Sequence, residues 1–120
     1  MKKILVADDK ETSRELVRTV LEASGYEVYE AADGIEALEQ ARRENPDLVI
    51  LDLHMPRLDG FGVIAELRRD EKFAATPVMA LTASAMMGDR EQALAAGFTG
   101  YIAKPIPLAA LRSEVERLLR

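Results

Sequence analysis

Cysteine is absent from all 120 residues, which excludes a disulfide scaffold and thiol chemistry and fits a reducing compartment. A basic block is missing too. The net charge is −5, with 21 acids against 16 Lys and Arg, and the basic pairs Arg42-Arg43 and Arg68-Arg69 sit among acids. Nucleic-acid backbones reward a basic face, so nucleic acid is not expected as a partner. No apolar run approaches the ~20 residues of a membrane helix. The start, Met1-Lys2-Lys3 followed by "ILVA", reaches an acid at Asp8, too soon for a signal-peptide core. Nor is there a Gly/Ser/Pro-rich linker or a low-complexity segment. These absences leave one cytoplasmic domain, residues 1–120, as the expectation. The last helical pattern runs almost to Arg120, so a second domain is not expected.

What is present is an alternation of short β-rich runs and helical stripes. The runs are "KILVA" (3–7), "YEVYEA" (26–31), "DLVIL" (47–51), "PVMALT" (77–82) and "GYIA" (100–103). Three are apolar at nearly every position, the mark of parallel strands covered on both faces. "YEVYEA" alternates, as an outer strand with one partly wet face would. Stripes through Leu16, Val17, Val20 and Leu21, through Ile35, Leu38 and Ala41, and through Val63, Ile64 and Leu67 predict three helices. A fourth, about 86–96, has a thin stripe of Ala93, Leu94 and Ala96, and a fifth carries Leu108, Leu111, Val115 and Leu118. Gly25 and Gly97 suit helix C-termini. Asp33 suits an N-cap with Glu36 completing a capping box, and Pro107 suits a first helical turn. Strict β-α order with right-handed crossovers gives an α/β fold with helices on both faces of a parallel sheet.

In such a sheet, ligands bind beyond the carboxyl ends of the strands. The first strand ends in Asp8-Asp9, the third in Asp52 and the fourth in Thr82, while Lys104-Pro105 follows the fifth. Singly, each residue has an ordinary use: a turn or cap aspartate, a solvated lysine, a capping threonine. Together they place three carboxylates, a hydroxyl and an ammonium on one edge. Clustered carboxylates repel unless a cation joins them, and an all-oxygen donor set suits Mg²⁺. A carboxylate can attack phosphorus to form an aspartyl-phosphate, with a metal, Lys104 and Thr82 neutralising or hydrogen-bonding the phosphoryl oxygens.

The blocks "ILVADD", "VILDLHMPRLDG", "PVMALTA" and "YIAKPI", in this order and spacing, resemble the signature blocks of the receiver domain of two-component response regulators, in a single-domain, chemotaxis-regulator-like form. That resemblance implies a doubly wound, flavodoxin-like five-stranded parallel sheet, order 2-1-3-4-5. It implies that Asp52 accepts a phosphoryl group from a phosphohistidine on a sensor histidine kinase or a histidine phosphotransfer protein. It implies Mg²⁺ held by Asp9 directly, by Asp8 largely through water, by Asp52, and by the backbone carbonyl of His54. Thr82 would bond the phosphoryl group, Lys104 would pair with it, and the Lys104–Pro105 peptide would be cis. Tyr101 would be the switch aromatic, swinging inward on activation.

His54, the sole histidine, is read as a loop residue whose carbonyl matters more than its ring. His54 and Ser84 occupy positions where the family tunes phosphate lifetime. Gly100 departs from the commoner family text and adds backbone freedom beside Tyr101. Met86, Met87 and Arg112 are candidate partner contacts on a face made by the fourth helix, fifth strand and fifth helix. The expected role is therefore a phosphorylated signalling module that switches partner binding or relays the phosphate, with no enzyme activity beyond self-catalysed phosphotransfer and autodephosphorylation. Two other readings stand beside it. An Mg²⁺-dependent phosphate-ester hydrolase would want a second acid near Asp52 and a cap over the substrate. A flavodoxin-like nucleotide binder would want a phosphate-cradling loop where this chain has "DDKETS".

Overall fold

Three strands apolar at almost every position, β1 (Lys3–Ala7), β3 (Leu48–Asp52) and β4 (Val78–Thr82), form the middle of a parallel sheet. The structure, a computed structural model, describes residues 1–83 and 89–120. β2 (Glu27–Ala31) lies on the outer side of β1 and β5 (Gly100–Ala103) on that of β4, giving the order β2-β1-β3-β4-β5. All four pairings are parallel.

Five helices cross over between the strands: α1 (Glu11–Ala23), α2 (Gly34–Glu44), α3 (Gly60–Arg69), α4 (Asp89–Ala96) and α5 (Leu108–Leu118). Residues 86–88, the start of the helix expected over 86–96, lie outside the described residues, as does Ser84. Strand side chains alternate between two cores. Leu5, Val49, Leu51, Val78 and Ala80 meet Leu38, Val63, Ile64, Leu67, Ala93 and Phe98. Ile4, Val6, Leu48, Ile50, Met79 and Leu81 meet Val17, Val20, Leu21, Leu111 and Val115. Thus α2, α3 and α4 cover one face, and α1 and α5 the other.

The buried arcs of the helices are narrower than their apolar stripes. Leu16, Ile35, Leu94 and Leu108 are exposed, while Ala37 is buried. A helix laid on a flat sheet buries only a narrow arc, and small alanines come closest to it. Pro107 sits at the N-cap of α5, one residue before the helix. A short 3₁₀ turn, Glu71–Phe73, was not anticipated; it buries Phe73.

Local signals set the boundaries. Gly25 has φ +95°, and the Gly25 and Tyr26 N–H groups donate to the carbonyls of Glu22 and Leu21, closing α1 in a Schellman motif. Gly97 (φ +110°) and Phe98 repeat this at α4, bonding to Leu94 and Ala93. The Asp33 carboxylate accepts the Glu36 N–H at 2.9 Å. Glu36 reaches back to the N–H of Ala32, one residue before the cap, so the box is not the standard reciprocal pair.

Candidate functional site

Strand register brings the acids together. Ala7 is paired with Leu51, so the next residues along, Asp8 and Asp52, emerge side by side beyond the sheet edge. Thr82 is paired with Ala103, and the following Lys104 N–H donates to the Thr82 carbonyl at 2.7 Å. The Lys104–Pro105 peptide is cis. Asp8, Asp52 and Thr82 are buried polar side chains, whereas Asp9 and the His54 side chain are exposed.

Lys104 Nζ lies 2.9 Å from Asp52 Oδ2 and 2.8 Å from Asp8 Oδ2. The other Asp52 oxygen, Oδ1, accepts the His54 N–H at 2.9 Å. Asp8 Oδ1 accepts the Lys10 N–H at 2.9 Å. Asp8 Oδ2 has the ion contact with Lys104 but no hydrogen bond of good angle. Burial pushes the Asp8 carboxyl above its ordinary range and the Asp52 charge adds to this, against the pull of Lys104 and the Lys10 N–H. Lys104 is also largely buried, which opposes its charge, but the close carboxylates of Asp8 and Asp52 outweigh that and raise it.

Asp8, Asp9 and Asp52 each offer a carboxylate oxygen within 4.8 Å of the others. One ammonium does not balance three carboxylates, and one oxygen of Asp8 is buried without a proper donor. A hard divalent cation matches both features of this all-oxygen cluster, so the residues fit Mg²⁺.

Some parts of the site had no sequence signal. Arg14 donates to the Asp8 carbonyl at 2.8 Å and to Glu30 at 3.0 Å, fastening the residue that carries the buried acid. Arg57 makes two 3.1 Å bonds to Asp33. The Arg14–Glu30 and Arg57–Asp33 ties join residues 16 and 24 positions apart, where no periodicity reports contact. Tyr101 is half-buried and packs against the core beneath α2, α3 and α4. Arg112 is exposed on α5. Met86 and Met87 lie outside the described residues.

A family model described as the response regulator receiver domain matches residues 4–116. The chain belongs to this family. It is 44% identical over 118 residues to a probable transcriptional regulator, ycf27, of Porphyridium aerugineum, covering 98% of this chain but 48% of that protein. It is 41% identical over 105 residues to the polar-differentiation response regulator DivK of Brucella ovis, covering 88% of this chain and 85% of DivK. Among solved structures, the chemotaxis response regulator CheY4 of Vibrio cholerae superposes with a TM-score of 0.93 at 34% identity, over 99% of each chain. The receiver domain of sensor histidine kinase PA1611 from Pseudomonas aeruginosa gives 0.90 at 36% identity, over 98% of this chain and 97% of that one, and holds a magnesium ion in its active-site cleft. As a response regulator receiver, this chain is a two-component signalling module with an acidic cluster compatible with Mg²⁺. Nothing in these likenesses favours the phosphate-ester hydrolase.

Proposed function

We propose that this receiver takes a phosphoryl group from a phosphohistidine, on a sensor histidine kinase or histidine phosphotransfer protein, onto Asp52. The observation that carries this reading is the pairing of Asp52 with Lys104 beside two further carboxylates at the sheet edge. An Asp52 oxygen attacks phosphorus, the P–N bond breaks, and the imidazole leaves with the bonding pair. Asp8 and Asp9, with Asp52 and the His54 carbonyl, would hold Mg²⁺, which supplies charge neutralisation for the phosphoryl oxygens when bound. The His54 N–H orients the acceptor through Oδ1. Lys104 moves from carboxylate to phosphoryl oxygen as charge shifts outward, and Thr82 donates its hydroxyl to another. Loss of the phosphoryl group to water at the same site makes the signal self-limiting; no other enzyme activity is assigned.

The donor reaches Asp52 from the open edge. A cleft of about 230 Å³ lined by Thr12, Ser13, Leu16, Lys104, Pro105 and Ile106 adjoins the site there. Output leaves through the α4–β5–α5 face, with Thr82 and Tyr101 as the switch pair, to a partner protein in the cytoplasm. No helix among the described residues is long and apolar enough to cross a membrane.

Incubation with acetyl phosphate and Mg²⁺, followed by intact-mass measurement, tests the reading. Wild type should gain the mass of one phosphoryl group, and Asp52→Asn should not. Equal labelling of the variant would remove Asp52 as acceptor, and steady turnover of a phosphomonoester would restore the hydrolase.

A further inference from the structure

The loop from β3 to α3 supplies the His54 N–H that meets Asp52, and its conformation is unusual at one residue. Arg57 has φ +68°, and the Leu58 N–H donates across it to the Pro56 carbonyl at 2.7 Å. A three-residue turn with positive φ at its centre is the rarer, strained γ-turn. For a side-chain-bearing residue, that conformation persists only where the surroundings enforce it.

The surroundings are visible. Arg57 Nε and Nη2 reach Asp33 Oδ2 and Oδ1, each at 3.1 Å, in a fork-to-fork pair. Asp33 is rigid in its turn because it caps α2 through the Glu36 N–H. Next to it, Gly34 lies so close to Leu58 that a Cβ there would stand 2.0 Å from the Leu58 carbonyl oxygen. At the loop's neck, the Gly60 N–H returns to the Leu53 carbonyl at 3.1 Å. The loop is thus closed at its neck and tied at its tip to the start of α2. His54 lies between the two ties.

We propose that Arg57 is a positioning residue: its forked pair with Asp33 holds the strained turn and thereby sets the His54 backbone against Asp52. The role deepens the reading of Asp52 as the phosphoacceptor and rests on it. The predicted effect falls on the His54 N–H and carbonyl, not on global stability, because the pair is partly exposed.

The test uses Arg57→Met, Asp33→Asn and the double variant. Methionine removes the charged fork at 57 without being any more at ease at positive φ than arginine, and asparagine remains a good N-cap at 33. In cation-free protein, hydrogen exchange at the His54 amide should quicken about threefold in each single variant, the size a partly exposed pair supports. Mg²⁺ affinity, followed by titration calorimetry, should weaken about threefold in each single variant. In the double variant neither effect should grow further, because the second change removes a partner already lost. Charge alone predicts otherwise: removing the Arg57 cation would tighten Mg²⁺, and removing the Asp33 anion would loosen it. Opposite signs, additive effects, or unchanged His54 exchange would each overturn the positioning role. Should wild type neither bind Mg²⁺ nor accept phosphate, the reading of Asp52 fails, while His54 exchange still decides the role of Arg57.

Discussion

Lys104 Nζ is 2.9 Å from Asp52 Oδ2, and the Lys104 backbone N–H is anchored to β4 at the Thr82 carbonyl. The ammonium is therefore held by the sheet rather than by a mobile surface chain. With its side chain only 11% exposed, Lys104 is the counter-charge for two buried carboxylates.

Lys104→Met should therefore be costly without a divalent cation. Two carboxylates would be left buried without their ammonium, a loss on the order of 3 kcal/mol. Saturating Mg²⁺ should recover part of it. Urea unfolding in chelator and in Mg²⁺ checks this; identical losses in both would count against a shared role for cation and lysine.

Asp8 should show the opposite behaviour. Its folded carboxyl is raised above the ordinary 3.8, so between that value and the folded one the native state holds more proton than the unfolded state. Stability without cation then falls as pH rises through this window, and the deficit persists at neutral pH. Asp8→Asn should stabilise the cation-free protein at neutral pH while weakening Mg²⁺ binding. A neutral-pH destabilisation of Asp8→Asn in chelator would contradict the raised value. At the alkaline end stability again falls with rising pH, but there a stabilising charge is being lost. Lys104 is raised above its ordinary 10.5, so its contribution is complete below that value and is lost as pH rises through the folded one.

Gly34→Ala should disturb the β3–α3 loop from outside it. The new methyl would meet the Leu58 backbone, which cannot rotate away as a side chain could. The expected destabilisation is about 2 kcal/mol by thermal or urea unfolding, with altered amide shifts over residues 54–60. An unchanged midpoint would mean that the two loops separate freely.

Beryllofluoride, standing in for the phosphoryl group, should shift amide resonances beyond the site, across α4, β5 and α5. Such coupling requires two states a few kcal/mol apart that a partner recognises differently. Changes confined to the loops around Asp52 would point to a relay role, with the partner docking at the active-site edge itself.

The sheet was legible because β1, β3 and β4 are apolar on both phases of the pleat except at a strand end, a pattern that two-sided burial explains. Where an apolar run stops, the strand end is fixed, and Asp8, Asp52 and Thr82 were placed by that alone. Helix faces were less legible, since Leu16 and Ile35 satisfy the spacing yet point outward. Long-range polar ties were not legible at all. Arg68 donates to the carbonyls of Phe73 and Thr76 and, across to α4, of Gly97, with burial lowering its pKa. Asn45 ends α2 at φ 56°, a role that glycine fills elsewhere in this chain. Such choices depend on which loops meet, and that is known only after the sheet has assembled.

Direct mapping of the acyl phosphate is the sharpest test. Reduction of the phosphorylated protein with borohydride converts an aspartyl-phosphate to homoserine, which peptide sequencing by mass spectrometry locates. The account predicts homoserine at position 52 and unreduced aspartates at positions 8 and 9. Homoserine at position 8 or 9, or a stable phosphoryl group on His54, would contradict it.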